Sequence, residues 1–583
     1  MFGYRNDGVG STMSVLVRGG SVVDGTGAPG RRADVLAEGG TIVAIGPNLE
    51  ASAGATVIDA EGMVVCPGFL DIHTHYDAQL LWDPAATPSV QHGVTTVLGG
   101  NCGFSVAPIT PDAAEYLIPM LATVEGMPVE SLRAGVDVTW SSFGEYLQRL
   151  DGSLAVNAGF SVGHSAVRRV VMGEAAVGEL ATEDQVAEMT RLVHESIEQG
   201  AIGFSTSTGE GHIDHEGAAV PSRHASMAEL LALCRATGDH PGTSLEIVPT
   251  IEQSYSRATQ LQLVAMSLAG RRIVNWNALT LEQDVDARDS RLSASDYAAA
   301  AGARVVALAP CIPMGTRQPL DQTIIWSSMP NWAEVMNLPL PERLAAFGDP
   351  AVRARLRDGA RTVTRRWADF VNYTVGDVQN PELRELVGRR IADIAEERRA
   401  DPFDTLCDIA VADGLHAGLV APIPGTDDAG WAERVELCQD KRVVIGASDA
   451  GAHLDMIWAF AMYTTFLGEA VRERELLPVE EAIRMITSVP AALYGLRGRG
   501  TLAVGNHADI VVFDPREIGG GTVQPRSDLP AGGMRLYSEP TGIRSVIVSG
   551  VPVVDGGNLT GATPGSVLRS GKDTDTPDPA FVS

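Results

Sequence analysis

Eight short apolar runs, each followed by a helical pattern, constrain this chain more than any other feature of its sequence. They lie at 68–75, 95–100, 155–163, 201–207, 242–249, 272–278, 304–309 and 442–448. Helical spacing fills the intervals, as at 183–199 and 225–237, and strands alternating with helices are the signature of βα units. Eight such units close a (β/α)8 barrel, so an α/β, TIM-like barrel is the fold expected for residues 67–494. The interval from about 310 to 440 is too long for one crossover. Its Arg- and Glu-rich, Leu-periodic segments, such as 381–399, predict a helical insert after the seventh strand.

Both flanks read differently. Residues 14–66 form short strands with Gly turns, and residues 495–560 repeat that style in Ala508-Asp509-Ile510-Val511-Val512-Phe513-Asp514. The two ends are expected to pair into one small β-sandwich. Residues 1–13 are Gly-rich and polar, read as a disordered lead without a secretory signal. The 561–583 tail is rich in Pro, Ser and Asp and is read as a mobile or draping segment.

Charge narrows the partners. At 583 residues and a net charge of −29, the chain is poorly suited to nucleic acid or an anionic membrane surface. No run of about 18 apolar residues marks a transmembrane helix. Six scattered cysteines in a chain this long are not a disulfide framework, and a reducing, cytoplasmic setting is expected. A small-molecule substrate is the expected partner, and assembly as a homo-oligomer stays open.

The ends of the apolar runs carry the chemistry. Barrel enzymes place reactive groups at the C-terminal ends of their strands. Strand one ends in His73-Thr74-His75, and alternation puts both imidazoles on one face, where they can grip one metal ion. Strand two leads into Cys102 and strand three into His164. Strand five carries Glu246, strand six Asn277, and strand eight ends at Ser448-Asp449.

With these residues in place, the chain resembles the amidohydrolase superfamily, in its N-acyl-D-amino-acid deacylase branch. The likeness rests on Pro67-Gly68-Phe69-Leu70-Asp71-Ile72-His73-Thr74-His75, Gly100-Asn101-Cys102-Gly103 and Val124-Glu125-Gly126-Met127-Pro128. Gly163-His164-Ser165-Ala166-Val167-Arg168 and Ser448-Asp449-Ala450-Gly451-Ala452-His453 extend it. The resemblance implies a metal-dependent hydrolase of an amide bond using one or two Zn2+ ions. His73, His75, Cys102 and Asp449 would be its metal ligands, Asp449 its general base, and His164 and Arg168 substrate-binding residues; Asn277, on strand six, is a further candidate for substrate binding read from its place in this chain. Cys102 would stand where other members carry a carboxylated, metal-bridging lysine. The only lysines are Lys441, at the start of strand eight, and Lys572, in the tail, so no such bridge can form.

The chain departs from that branch in two places. Strand five reads Ser244-Leu245-Glu246-Ile247-Val248, without the branch's histidine, so Glu246 is the replacement ligand expected there. Strand six reads Asn275-Trp276-Asn277-Ala278-Leu279, without its histidine or its carboxylate-binding lysine. An altered metal site and an altered substrate follow. The alternatives are a cyclic amide, imide or carbamate hydrolase, or a barrel kept for binding after losing activity. His212, His215 and His224 are read as exposed loop histidines.

Overall fold

Every one of the eight apolar runs becomes a strand, and all of them run parallel to their neighbours. The computed structural model describes residues 14–250, 254–281, 285–321, 326–363 and 368–578. The strands are β1 (Phe69–Asp71), β2 (Val94–Gly99), β3 (Asn157–Phe160, resumed at Val162–Gly163), β4 (Gly203–Ser207), β5 (Ser244–Val248), β6 (Val274–Trp276), β7 (Val305–Ala309) and β8 (Val443–Ile445). One parallel sheet holds β1, β2 and β3, and a second runs from the resumed β3 through β4, β5, β6 and β7 to β8. At the far side Thr74, just past β1, bridges in parallel to Ala450, just past β8. There the His75 amide donates to Ala450 O at 2.8 Å and the Asp449 amide to His73 O at 3.2 Å.

The sequence accounts for these elements locally. All five residues of β7, Val-Val-Ala-Leu-Ala, are buried, as a parallel strand covered on both faces requires. Around the strands pack α1 (Pro111–Val124), α2 (His164–Met172), α3 (Glu183–Glu198) and α4 (Met227–Gly238). Thr182 and Gln185 form a reciprocal capping box at the start of α3, and Ser226 caps α4. Gly68 joins the flanking sheet to β1 where a Cβ would meet Thr95 Oγ1 at 2.0 Å, so only glycine fits.

The two ends of the chain share one nine-stranded sheet. Its seam is Ile510–Phe513, antiparallel to Val64–Pro67 with Val511 opposite Cys66. The strand Ser14–Val22 pairs with Thr56–Asp59 along its first half and with Val64–Pro67 at its end, so the sheet forks there. Between β7 and β8 lie helices including Leu340–Gly348, Pro350–Ala360, Ile391–Arg398 and Pro402–Ala412. They enclose a separate core in which Trp326 stacks on Trp332 at 5.2 Å, beside Phe370 and Tyr373. The stretch after Gly561 lies against the body. Val567 bridges to Ala158, Leu568 is fully buried, and Thr574 Oγ1 donates to Gly242 O at 2.6 Å. All six cysteines are free and buried, and no described helix is long and apolar enough to cross a membrane.

Candidate metal centre

Beyond β1 the chain bends at His73 and bridges to Ala450 through Thr74, and the rings of His73 and His75 meet on one side. Their ring centroids are 5.4 Å apart. Past β2 the chain turns sharply through Gly100, Cys102 and Gly103, all with positive φ. That turn delivers Cys102 Sγ to 3.4 Å from His73 Nε2 and 3.8 Å from His75 Nε2. One atom from each of the three residues lies within 4.8 Å of the others, and all three residues are buried. Two imidazoles and a thiol form a donor set suited to zinc.

Asp449 completes the group from β8. Its Oδ1 lies 3.1 Å from His75 Nε2 and 3.5 Å from His73 Nε2. Its side chain is 27% exposed, against 0% for His73, so it stands on the solvent side of the cluster. Cys102, Ala447, Asp449 and His453 all hold left-handed φ values without being glycine. Strained backbone of this kind concentrates at functional sites.

The electrostatics favour a cation. Glu125, Glu246, Asp77 and Asp449 surround the two histidines. Burial pushes Glu246 up to about 8, Glu125 to about 7 and Asp77 to about 6. Burial alone would lower His75, but Glu125, Asp449 and Asp77 override it and raise it to about 10. Asp449 is held well below the usual carboxylate range by hydrogen bonds and charge from both histidines, against the opposing effect of burial. Burial, then Glu246, Glu125 and Asp449, push the Cys102 thiol up. A divalent cation would reverse that last shift and ionise the thiol. Several buried polar atoms around the cluster lack a partner: His73 Nδ1, Glu246 Oε1, Asp77 Oδ1, Asn277 Oδ1 and His453 Nδ1.

Other residues expected at the site are placed differently. Glu246 was expected as a ligand, but it lies behind His73. Its Oε2 is taken by the Cys102 amide at 2.8 Å, and its Oε1 is 3.9 Å from His73 Nδ1. His164 and Arg168 were expected against substrate, and both are fully buried. His164 contacts Thr206 Oγ1 at 2.8 Å and Glu229 Oε1 at 2.9 Å, while Arg168 donates to the same Glu229 oxygen at 2.6 Å. They tie α2 to α4 because Glu229 is the carboxylate within their reach. Asn277 does arrive at the cluster, with Nδ2 2.8 Å from His73 Nε2.

Three residues near the cluster were not singled out from sequence. Glu125, just past α1, places Oε1 3.3 Å from His75 Nδ1. His453 donates its backbone N–H to Glu125 O. Asp77 accepts from the Gly100 amide at 3.0 Å. Alternation from His73 and His75 would have pointed to Asp77; nothing periodic marks Glu125. Among the loop histidines, His212 is drawn inward. It sits 2.7 Å from Ser207 Oγ and 5.1 Å from the Phe104 ring, and burial lowers it to about 3. His215 stays exposed, 5.4 Å from the Tyr116 ring. Lys441 and Lys572 are exposed, the first just before β8 at the end of the strand remote from Asp449.

A cavity of about 260 Å³, mouth included, opens beside His75, Asp77 and Glu125 and is otherwise lined largely by Ala78, Phe104, Val106, Leu121 and Met127.

Comparison with known proteins places this geometry. The amidohydrolase family model matches residues 56–554. D-aminoacylase of Alcaligenes xylosoxydans xylosoxydans is 28% identical over 567 residues, covering 95% of this chain and 97% of that protein. A solved D-aminoacylase with a binuclear metal centre superposes with a TM-score of 0.62 at 26% identity, over 95% of this chain and 99% of the other. N-acyl-D-glutamate deacylase from Bordetella bronchiseptica, complexed with zinc and a phosphonate inhibitor, shares the fold at a TM-score of 0.63 and 24% identity, over 96% and 100% of the two chains. With most of its length matched by the family model, the chain belongs to the amidohydrolase family.

Proposed function

We propose that the protein is a zinc-dependent hydrolase of a carbon–nitrogen bond in an N-acyl compound, working in an eight-stranded (β/α)8 barrel in the cytoplasm. The flanking sheet, folded over at its fork, would be a β-sandwich, and the helices between β7 and β8 a lid. The carrying observation is the convergence of His73, His75 and Cys102 within 4.8 Å, with Asp449 at 3.1 Å from His75. His73, His75 and Cys102 would hold the ion, with Asp449 beside it. When bound, zinc supplies Lewis acidity, which polarises an amide carbonyl and acidifies a nearby water.

The chain's own groups do the proton work. Asp449 is ionised and partly open to solvent, so it can accept the proton of the attacking water as the water oxygen bonds to the acyl carbon. It then returns that proton to the departing nitrogen as the C–N bond breaks, which releases an amine and a carboxylic acid. Asn277 would orient the bound amide.

An altered substrate is part of this reading. Leu279, near where the deacylase branch carries its carboxylate-binding lysine, is fully buried and donates its amide to Leu308 O. Seating a free carboxylate against it would cost several kcal/mol. The amine half of the substrate is therefore uncharged or aryl-bearing. Two measurements test the proposal. Elemental analysis of chelator-free protein should find at least about one zinc per chain. A panel pairing N-acyl-D-amino acids with their uncharged amides should favour the amides. Full activity without metal would sink the first half. Preference for the free acids would sink the second and point to Arg223, which donates to the Glu210 and His212 carbonyls and forms no ion pair with any described residue.

A further inference from the structure

We infer that Glu125 and Glu246 are positioning residues, each standing behind one histidine of the metal centre and holding its Nε2 toward the donor cluster. The inference rests on the metal reading above and concerns what keeps that centre assembled.

The two imidazoles are placed alike. On its Nε2 side, His75 meets Asp449 Oδ1 at 3.1 Å and Cys102 Sγ at 3.8 Å; on its Nδ1 side it meets Glu125 Oε1 at 3.3 Å. On its Nε2 side, His73 meets Asn277 Nδ2 at 2.8 Å, which can only donate to a ring nitrogen that carries the lone pair, then Cys102 Sγ at 3.4 Å and Asp449 Oδ1 at 3.5 Å; on its Nδ1 side it faces Glu246 Oε1 at 3.9 Å. In a neutral imidazole one nitrogen carries the proton and the other the lone pair. A carboxylate on the Nδ1 side fixes the proton there and leaves Nε2 free to ligate. His73 Nδ1 and Glu246 Oε1 are both buried, and neither has another partner. A small turn of either side chain closes that gap and satisfies both atoms at once.

Each glutamate also holds a second part of the site, Glu246 through its carboxylate and Glu125 through its backbone carbonyl. Glu246 Oε2 accepts from the Cys102 amide at 2.8 Å, so one side chain sets both a histidine and the thiol-bearing turn. The Glu125 carbonyl accepts from the His453 amide, which ties His75 to the loop that follows Asp449. This assigns Glu246 a different job from replacing a lost histidine ligand. It lies outside the converging donor group, which consists of His73, His75 and Cys102.

The test is metal affinity. Apo protein is titrated with zinc against a chromophoric chelator, for the wild type and for Glu125→Ala, Glu125→Gln, Glu246→Ala and Glu246→Gln. The alanine variants should bind zinc about 10- to 100-fold more weakly. The glutamine variants should lose less, because an amide oxygen still accepts from Nδ1–H. If an alanine variant fails to fold, its glutamine partner carries the comparison. Cobalt-loaded protein supplies the second readout: the thiolate-to-cobalt band and the ligand-field bands should keep their positions in every variant. Unchanged zinc affinity in a variant with tight wild-type binding overturns the role of that residue. A shifted ligand-field spectrum in the Glu246 variants overturns its positioning role and makes it a ligand. A wild type that takes up no zinc overturns the metal reading itself.

Discussion

Asp449 is the residue on which turnover should depend most. Asp449→Asn keeps the shape but cannot accept a proton, so kcat should fall by about 100-fold or more while zinc content persists. Steady-state kinetics beside elemental analysis checks both halves. Cys102 should act through its sulfur. Cys102→Ser keeps nearly the same volume, so the melting temperature of the apo protein should hold while zinc affinity drops by about 10-fold or more. Legibility at this scale followed local regularity. His73 and His75 could be read together because alternation is a property of the backbone. Cys102 could be placed at a strand end. Glu125 could not be read, because its approach to His75 depends on how α1 docks, and no periodicity encodes that. The turning of Glu246 toward the Cys102 amide was hidden for the same reason.

At the scale of elements, the informative contact is the one between α2 and α4. Arg168, His164 and Glu229 are all fully buried and share one carboxylate. Breaking a buried pair by neutralising one partner strands the other charge, at about 3–5 kcal/mol. Glu229→Gln should therefore lower stability in urea unfolding, and Arg168→Met combined with Glu229→Leu should recover much of the loss. Activity per folded molecule should change little in either protein if these residues brace helices. A large rise in KM for the double variant would return Arg168 to the substrate site. The strands themselves were legible as short apolar runs, since burial on both faces writes itself into composition. Their ends were less so. The predicted strand 68–75 contracts to Phe69–Asp71 because the backbone beyond it turns toward Leu98 and Ala450 to build the site.

Across the whole molecule, acid sensitivity should have an identifiable component. His92 joins the loop before β2 to the C-terminal part of the chain, with Nδ1 2.6 Å from Thr464 Oγ1 and Nε2 3.2 Å from Ser538 O. Burial lowers it to about 4, and an unfolded histidine titrates near 6.5. The unfolded chain therefore binds the extra proton first as pH falls. The stabilisation is complete above about pH 6.5 and is lost progressively down to about pH 4, by up to about 3 kcal/mol. Melting curves at pH 7 and pH 5 should show a smaller drop for His92→Gln than for the wild type. The pairing of the two chain ends was foreseeable from their matching strand style. The docking of the stretch after Gly561 was not, because its polar composition conceals the fully buried Leu568. That docked stretch touches Ala158 in β3, Gly242 just before β5 and Gly495, through Val567, Thr574 and Asp575. A ribosome makes residues 567–575 after every strand they brace. The contacts that brace β3 and the approach to β5 therefore close only after every barrel strand has left the ribosome, so the body is assembled first and strapped afterwards.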